Sequence, residues 1–112
     1  MMQFDTRDVD ADTVVITPQG RLNMVAAPRL RSLLTETVKG GRRRVVVDLS
    51  ATEFMDSSGL GALIAGLKTA RQAGGDLRIS RVTPQVAMVL QLTNLDRVLR
   101  AYDSVEAALD GR

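Results

Sequence analysis

Val45-Val46-Val47-Asp48-Leu49 is a short, almost unbroken apolar run rich in β-branched residues. A strand with one wet face alternates apolar and polar residues. A run without alternation suits a strand covered on both faces, as in a parallel sheet. The flanks of the run decide the class. Upstream, Leu30, Leu33, Leu34 and Val38 share one helical face, with Pro28 in the first turn and Gly40-Gly41 as a stop. Downstream, after a loop expected over Ser50 to Met55, Leu60, Leu63, Ile64 and Leu67 repeat helical spacing until Gly74-Gly75. A helix, a doubly covered strand and a second helix form the repeating unit of an α/β fold.

The remaining elements extend this alternation. Thr13 to Thr17 reads as a strand, and Phe4 to Val9 as its hairpin partner across Asp10-Ala11-Asp12. Pro18-Gln19-Gly20 is expected to break that strand. Leu77 to Val82 alternates imperfectly and predicts a strand near an edge. Thr83-Pro84 supplies an N-cap and a first-turn proline for a helix with Val86, Val89 and Leu90 on its apolar face. Val98 to Tyr102 predicts a last strand. Asp103 and Glu106 have capping-box spacing before a short helix carrying Val105, Ala108 and Leu109. The order β-β-α-β-α-β-α-β-α implies a mainly parallel sheet with right-handed crossovers. A length of 112 residues accommodates one domain, 1–112.

Composition narrows the chemistry. The chain has no cysteine and no histidine, which removes thiolate catalysis, imidazole acid–base chemistry and the commonest metal ligands. The expectation is a binding protein without cofactor or metal, not an enzyme. Arg42-Arg43-Arg44 is the one dense basic run. With only Phe4, Phe54 and Tyr102 as aromatics it does not make a nucleic-acid surface. No apolar stretch approaches a membrane span, and Met1 to Asp12 lacks a signal-peptide apolar region, so a cytoplasmic location is expected.

Loops at the carboxyl ends of parallel strands are where α/β sheets meet their ligands. The loop after the buried strand ends Met55-Asp56-Ser57-Ser58-Gly59-Leu60-Gly61. Asp56, Ser57 and Ser58 can each cap a helix, and Gly59 and Gly61 can serve close packing alone. One cap suffices, however, and each glycine weakens a helix by about 1 kcal/mol relative to alanine. Small residues there also leave the backbone open to an approaching group. A free phosphate is drawn to a helix N-terminus but repelled by Asp56; a covalent one on Ser57 escapes that conflict and adds about −1.5 to −2 charges. Gly59-Leu60-Gly61 lacks the third glycine of a dinucleotide fingerprint, and the spacing of Asp48, Glu53 and Asp56 demands no metal ion.

Phe54 to Gly61 closely resembles the signature of bacterial anti-sigma factor antagonists, small STAS-domain proteins. Val45 to Leu49, Gly20-Arg21-Leu22-Asn23 and Gly74-Gly75 before Leu77 resemble the family's stretches in the same order, over roughly Thr13 to Leu109. The resemblance implies a mixed, mainly parallel sheet with helices packed on one side. It implies a partner, an anti-sigma factor that is also a serine kinase, whose capture frees a sigma factor. It implies phosphorylation at Ser57, which parts the two, and reversal by a PPM-type phosphatase. Asn23, Met55, Asp56, Ser57, Ser58, Gly59, Leu60 and Gly61 are then the expected partner-binding residues. Asn23 departs from the family's usual Asp, keeping a side-chain oxygen but losing the charge. The alternative is a STAS scaffold or adaptor without phosphorylation, binding a protein, nucleotide or lipid-transport partner.

Overall fold

A computed structural model of the chain describes residues 2–110; of the domain expected over 1–112, Met1, Gly111 and Arg112 lie outside the described residues. The elements are β1 (Gln3–Asp8), β2 (Thr13–Leu22), α1 (Ala27–Lys39), β3 (Arg44–Asp48), β4 (Thr52–Met55), α2 (Ser57–Gln72), β5 (Asp76–Ser80), α3 (Pro84–Leu92), β6 (Ala101–Tyr102) and α4 (Val105–Asp110). A 3-10 turn, Leu95–Arg97, lies before β6. The sheet order is β1-β2-β3-β5-β6, with β1 antiparallel and the rest parallel, and β4 adds to the carboxyl half of β2.

The pleat divides the sheet into two faces. Val14, Ile16, Val45, Val47, Leu77 and Ile79 point to the main core, where α1, α2 and α3 cover them with Leu30, Leu34, Leu63, Leu67, Val86 and Leu90. Val15 and Val46 point the other way, against Val105 and Ala108 of α4. The mixed, mainly parallel sheet is therefore as expected. Its helices are not all on one side: three cover one face, and α4 covers part of the other.

Pro18-Gln19-Gly20 does not end β2. β2 pairs with β3 as far as Ile16↔Val47 and with β4 from Gly20↔Thr52. Pro18 falls in the gap between these ladders, where a missing N–H costs no sheet bond, and its carbonyl accepts from Thr52 Oγ1 at 3.0 Å. The expected loop Ser50 to Met55 accordingly contains β4. β5 lies one strand in from the edge and stops at Ser80, because Arg81 takes φ +53°. The last strand is only Ala101–Tyr102. Ser104, not Asp103, caps α4, accepting from Ala107 N–H at 3.0 Å.

Candidate partner-binding site

Two neighbouring strands build the site. Leu22 closes β2 opposite Met55, which closes β4, so Asn23 and Asp56 leave the sheet side by side. Asn23 Oδ1 accepts from Val25 N–H at 3.1 Å and Ala26 N–H at 3.2 Å, which turns the chain into α1. Asp56 adopts extended backbone and its Oδ1 accepts from Gly59 N–H at 3.0 Å, which caps α2. Both side chains act here as acceptors only.

Cap duty falls to Asp56 and not to the serines. Ser57 and Ser58 are the first two helical residues; Ser57 is exposed and Ser58 half-buried. Gly59 is buried: a Cβ there would lie 2.4 Å from the Leu22 carbonyl oxygen. Gly61 is exposed, and a Cβ there would meet nothing within 4 Å. Met55 is fully buried and Leu60 is 3% exposed. The expectation that Met55, Gly59 and Leu60 touch a partner therefore needs correction. They hold the segment in place, and Ser57, Ser58, Gly61, Asn23 and Asp56 form its accessible part.

Three residues outside the expected set belong to this neighbourhood. Gln85 on α3 donates from Nε2 to the Met55 carbonyl and accepts at Oε1 from the Met55 N–H, both at 2.9 Å. This ties α3 to the residue just before the cap. Met24 and Val25 are 72% and 79% exposed, the largest apolar side chains left to solvent between β2 and α1. Met24, Ala27, Arg31, Ser58 and Gly61 line an open groove of about 310 Å³ between the starts of α1 and α2. Gln85 gave no local signal, since its bonds exist only after folding. Met24 and Val25 were detectable as apolar residues off any helical or strand period.

Behind the site, Asp48 at the end of β3 is 3% exposed and ion-paired to Arg81, and its Oδ1 also accepts from Ser50 N–H at 3.1 Å. Burial pushes the Asp48 carboxyl up. Hydrogen bonds from Arg81 and Ser50, with the Arg81 charge, outweigh it and hold the group below the usual carboxylate value. Asp48 is held by Arg81 and Ser50, Asp56 by Gly59 N–H, Glu53 is exposed, and among the described residues no three acids gather as a metal site. Among the described residues no helix is long and apolar enough to cross a membrane.

Residues 4–108 match the STAS domain family. The anti-sigma F factor antagonist of Paenibacillus polymyxa is 28% identical over 97 residues, covering 86% of this chain and 83% of that protein. The crystal structure of an anti-sigma factor antagonist from Mycobacterium paratuberculosis superposes with a TM-score of 0.87 at 28% identity, covering 98% and 92% of the two chains. The anti-sigma factor antagonist SpoIIAA in its unphosphorylated form gives 0.83 at 25% identity, covering 96% and 94%. Agreement in sequence signature, strand order and nearly complete coverage leads to one conclusion: the chain belongs to the STAS-domain family.

Proposed function

We propose that the chain is an anti-sigma factor antagonist that captures an anti-sigma factor with serine kinase activity, frees a sigma factor, and is switched off by phosphorylation of Ser57. The observation that carries this reading is the exposed Ser57 hydroxyl on the first residue of α2, beside an Asp56 whose side chain already caps the helix. The hydroxyl is therefore spare. Exposed Met24 and Val25 supply apolar contact area next to it, and open Gly61 lets a partner approach the helix backbone. The relatives from Paenibacillus polymyxa and Mycobacterium paratuberculosis and SpoIIAA carry the antagonist role in their names, and SpoIIAA has been solved in an unphosphorylated form.

A phosphate on Ser57 brings about −1.5 to −2 charges to a surface matched to a neutral serine and Asp56. A tenfold loss of affinity needs only about 1.4 kcal/mol, and like charges forced together at an interface cost several. One phosphate is enough, and a PPM-type phosphatase would restore binding by removing it. The scaffold reading, without phosphorylation, draws only on Asn23 in place of the family's usual Asp.

The test uses the serine-kinase anti-sigma factor of the source cell. Wild type and Ser57→Ala bind it alike, Ser57→Asp binds at least tenfold more weakly, and incubation with ATP adds one phosphate by intact mass to wild type but none to Ser57→Ala. Equal affinity of wild type and Ser57→Asp would defeat the switch and leave the scaffold reading.

A further inference from the structure

We propose that the outer edge of β1 pairs with the same edge of a second copy of this chain, antiparallel, about a two-fold axis through Thr6. The backbone sets which groups are free. Gly20 N–H bonds toward Ala51 on the β4 side of β2, whereas the Thr13 carbonyl accepts from Val9 on the β1 side. Odd residues of β2 therefore bond to β1, and through the register Gln3↔Gln19, Asp5↔Thr17 and Arg7↔Val15 so do the odd residues of β1. The N–H and C=O groups of Phe4, Thr6 and Asp8 point outward, with no strand beyond them among the described residues. Such an edge is a ready template for another strand.

Charge selects both the occupant and the register. A copy centred on Thr6 joins Thr6 to Thr6 and Phe4 to Asp8 through their outward groups. Asp5 then stands opposite Arg7 of the second copy, twice by symmetry, at the closely spaced positions where Cα atoms are about 4.5 Å apart. Centring on Asp5, Arg7 or Asp8 sets like charges face to face, and centring on Phe4 sets Asp5 against Gln3. Asp5 and Arg7 are both exposed, and among the described residues Arg7 enters no ion pair. Asp8, which would lie beside Phe4 of the copy, is already neutralised by Arg42. Charges of a single sign would guard this edge against pairing; these are ordered to fit themselves.

The helix above the edge obeys the same symmetry. α1 returns from β2 to β3 and so runs roughly alongside β1, with the Arg29 guanidinium 5.2 Å from the Phe4 ring centroid. An open groove of about 670 Å³ separates them, lined by Thr6, Ser32 and Glu36 among others. Thr6 lies two strand residues past Phe4, about 6.8 Å, which along a helix is four to five residues. The axis therefore passes near Leu33, close to midway between exposed Arg29 and exposed Glu36. Two antiparallel α1 helices across the seam would set Arg29 against Glu36 of the copy. The edge lies across β2 from β4, so this inference does not draw on Ser57.

The chain has no cysteine, so Thr6→Cys introduces a lone thiol. At a hydrogen-bonded pair the two Cα atoms would be about 5.5 Å apart, within disulfide reach. Thr6→Cys is expected to oxidise to a covalent dimer much faster than the exposed control Lys68→Cys. Sedimentation equilibrium should show a concentration-dependent dimer. Asp5→Arg or Arg7→Asp alone should weaken it about tenfold, and the two together should restore it. Circular dichroism checks that these surface variants fold. Wild type remaining monomeric to about 1 mM, or a combined variant associating no better than the single ones, overturns the proposal.

Discussion

Gly59 and Gly61 lie two residues apart in one helix, and replacing each by alanine should change stability in opposite directions. Both changes remove the same entropic handicap, worth about 1 kcal/mol in a helix interior. At Gly61 nothing opposes the gain, because the added Cβ meets nothing within 4 Å. At Gly59 it would fall 2.4 Å from the Leu22 carbonyl oxygen, 2.7 Å from Leu22 Cγ and 3.1 Å from Met55 Cγ. The nearest atom is backbone on the last residue of β2, opposite Met55 in the ladder, so no rotamer change relieves the clash. α2 must instead move off the sheet by about 1 Å, and overpacking of this kind costs about 1–3 kcal/mol. Since backbone is involved we take the upper end, about 3 kcal/mol; less the helix gain, Gly59→Ala loses about 2 kcal/mol. Urea unfolding with a slope of about 2 kcal/mol/M would then show its midpoint fall by about 1 M. Gly61→Ala should rise by up to about 0.5 M on the same slope. If Gly61 is open because a partner docks over it, that stabilised variant will bind the anti-sigma factor more weakly than wild type. Two shifts of the same sign would refute the reasoning about Gly59, and unimpaired binding by Gly61→Ala would remove Gly61 from the contact surface.

Gln85→Ala should cost about 1–3 kcal/mol, since it strips partners from both the N–H and C=O of Met55, and hydrogen exchange at Met55 N–H should quicken. Asn23→Asp should be neutral or mildly stabilising in thermal melts, because only Oδ1 is used and an anion suits the start of α1; Asn23→Ala should lose about 1 kcal/mol. Asp48 has a folded-state pKa below its unfolded one, so its contribution is present above about pH 4 and fades as the pH falls through the folded value. Urea midpoints of wild type and Asp48→Asn should therefore converge on acidification. In Arg81→Ala the Asp48 pKa rises above its wild-type value, so that variant should recover stability relative to wild type as the pH falls through the raised value.

The helices were legible because their information is local. Leu30, Leu33, Leu34 and Val38 state a face within nine residues, and glycines mark the ends. β4 and the second half of β2 were not legible, because their reason for being strands is a pairing between residues thirty-two apart, Gly20 with Thr52. Pro18 read as a break because sequence does not reveal that its nitrogen faces a gap between two ladders. Val105 and Ala108 declare an amphipathic helix but not which face of the sheet receives it. The site divides the same way. Capping chemistry is local, so the helix start at Asp56-Ser57 was readable. Which members of the segment reach solvent was not: Met55 and Leu60 look like contact residues and are core. Gln85 enters only through the fold.

These separate features bear on where a charge at Ser57 would act. Neither α1 nor α2 has an acidic residue in its first turn. Their starts share one groove, with Met24 and Arg31 on one wall and Ser58 and Gly61 on the other. A phosphate on Ser57 would therefore arrive near the start of α1, which has no acidic residue in its first turn, and at the start of α2, where Asp56 already supplies one anion; a helix N-terminus favours an anion by about 0.3–1 kcal/mol at an exposed position. Asp56 repels it, but Asp56 is committed to Gly59 N–H and is itself held by α2. The domain has no reason to unfold on modification. Its turn into α1 uses Asn23, its α2 cap uses Asp56, its core uses Met55 and Leu60, and none of these needs the Ser57 hydroxyl. The penalty of the new charge then falls on whatever surface lies against it, so a switch at this position can reject a partner while the fold that presents it stays intact.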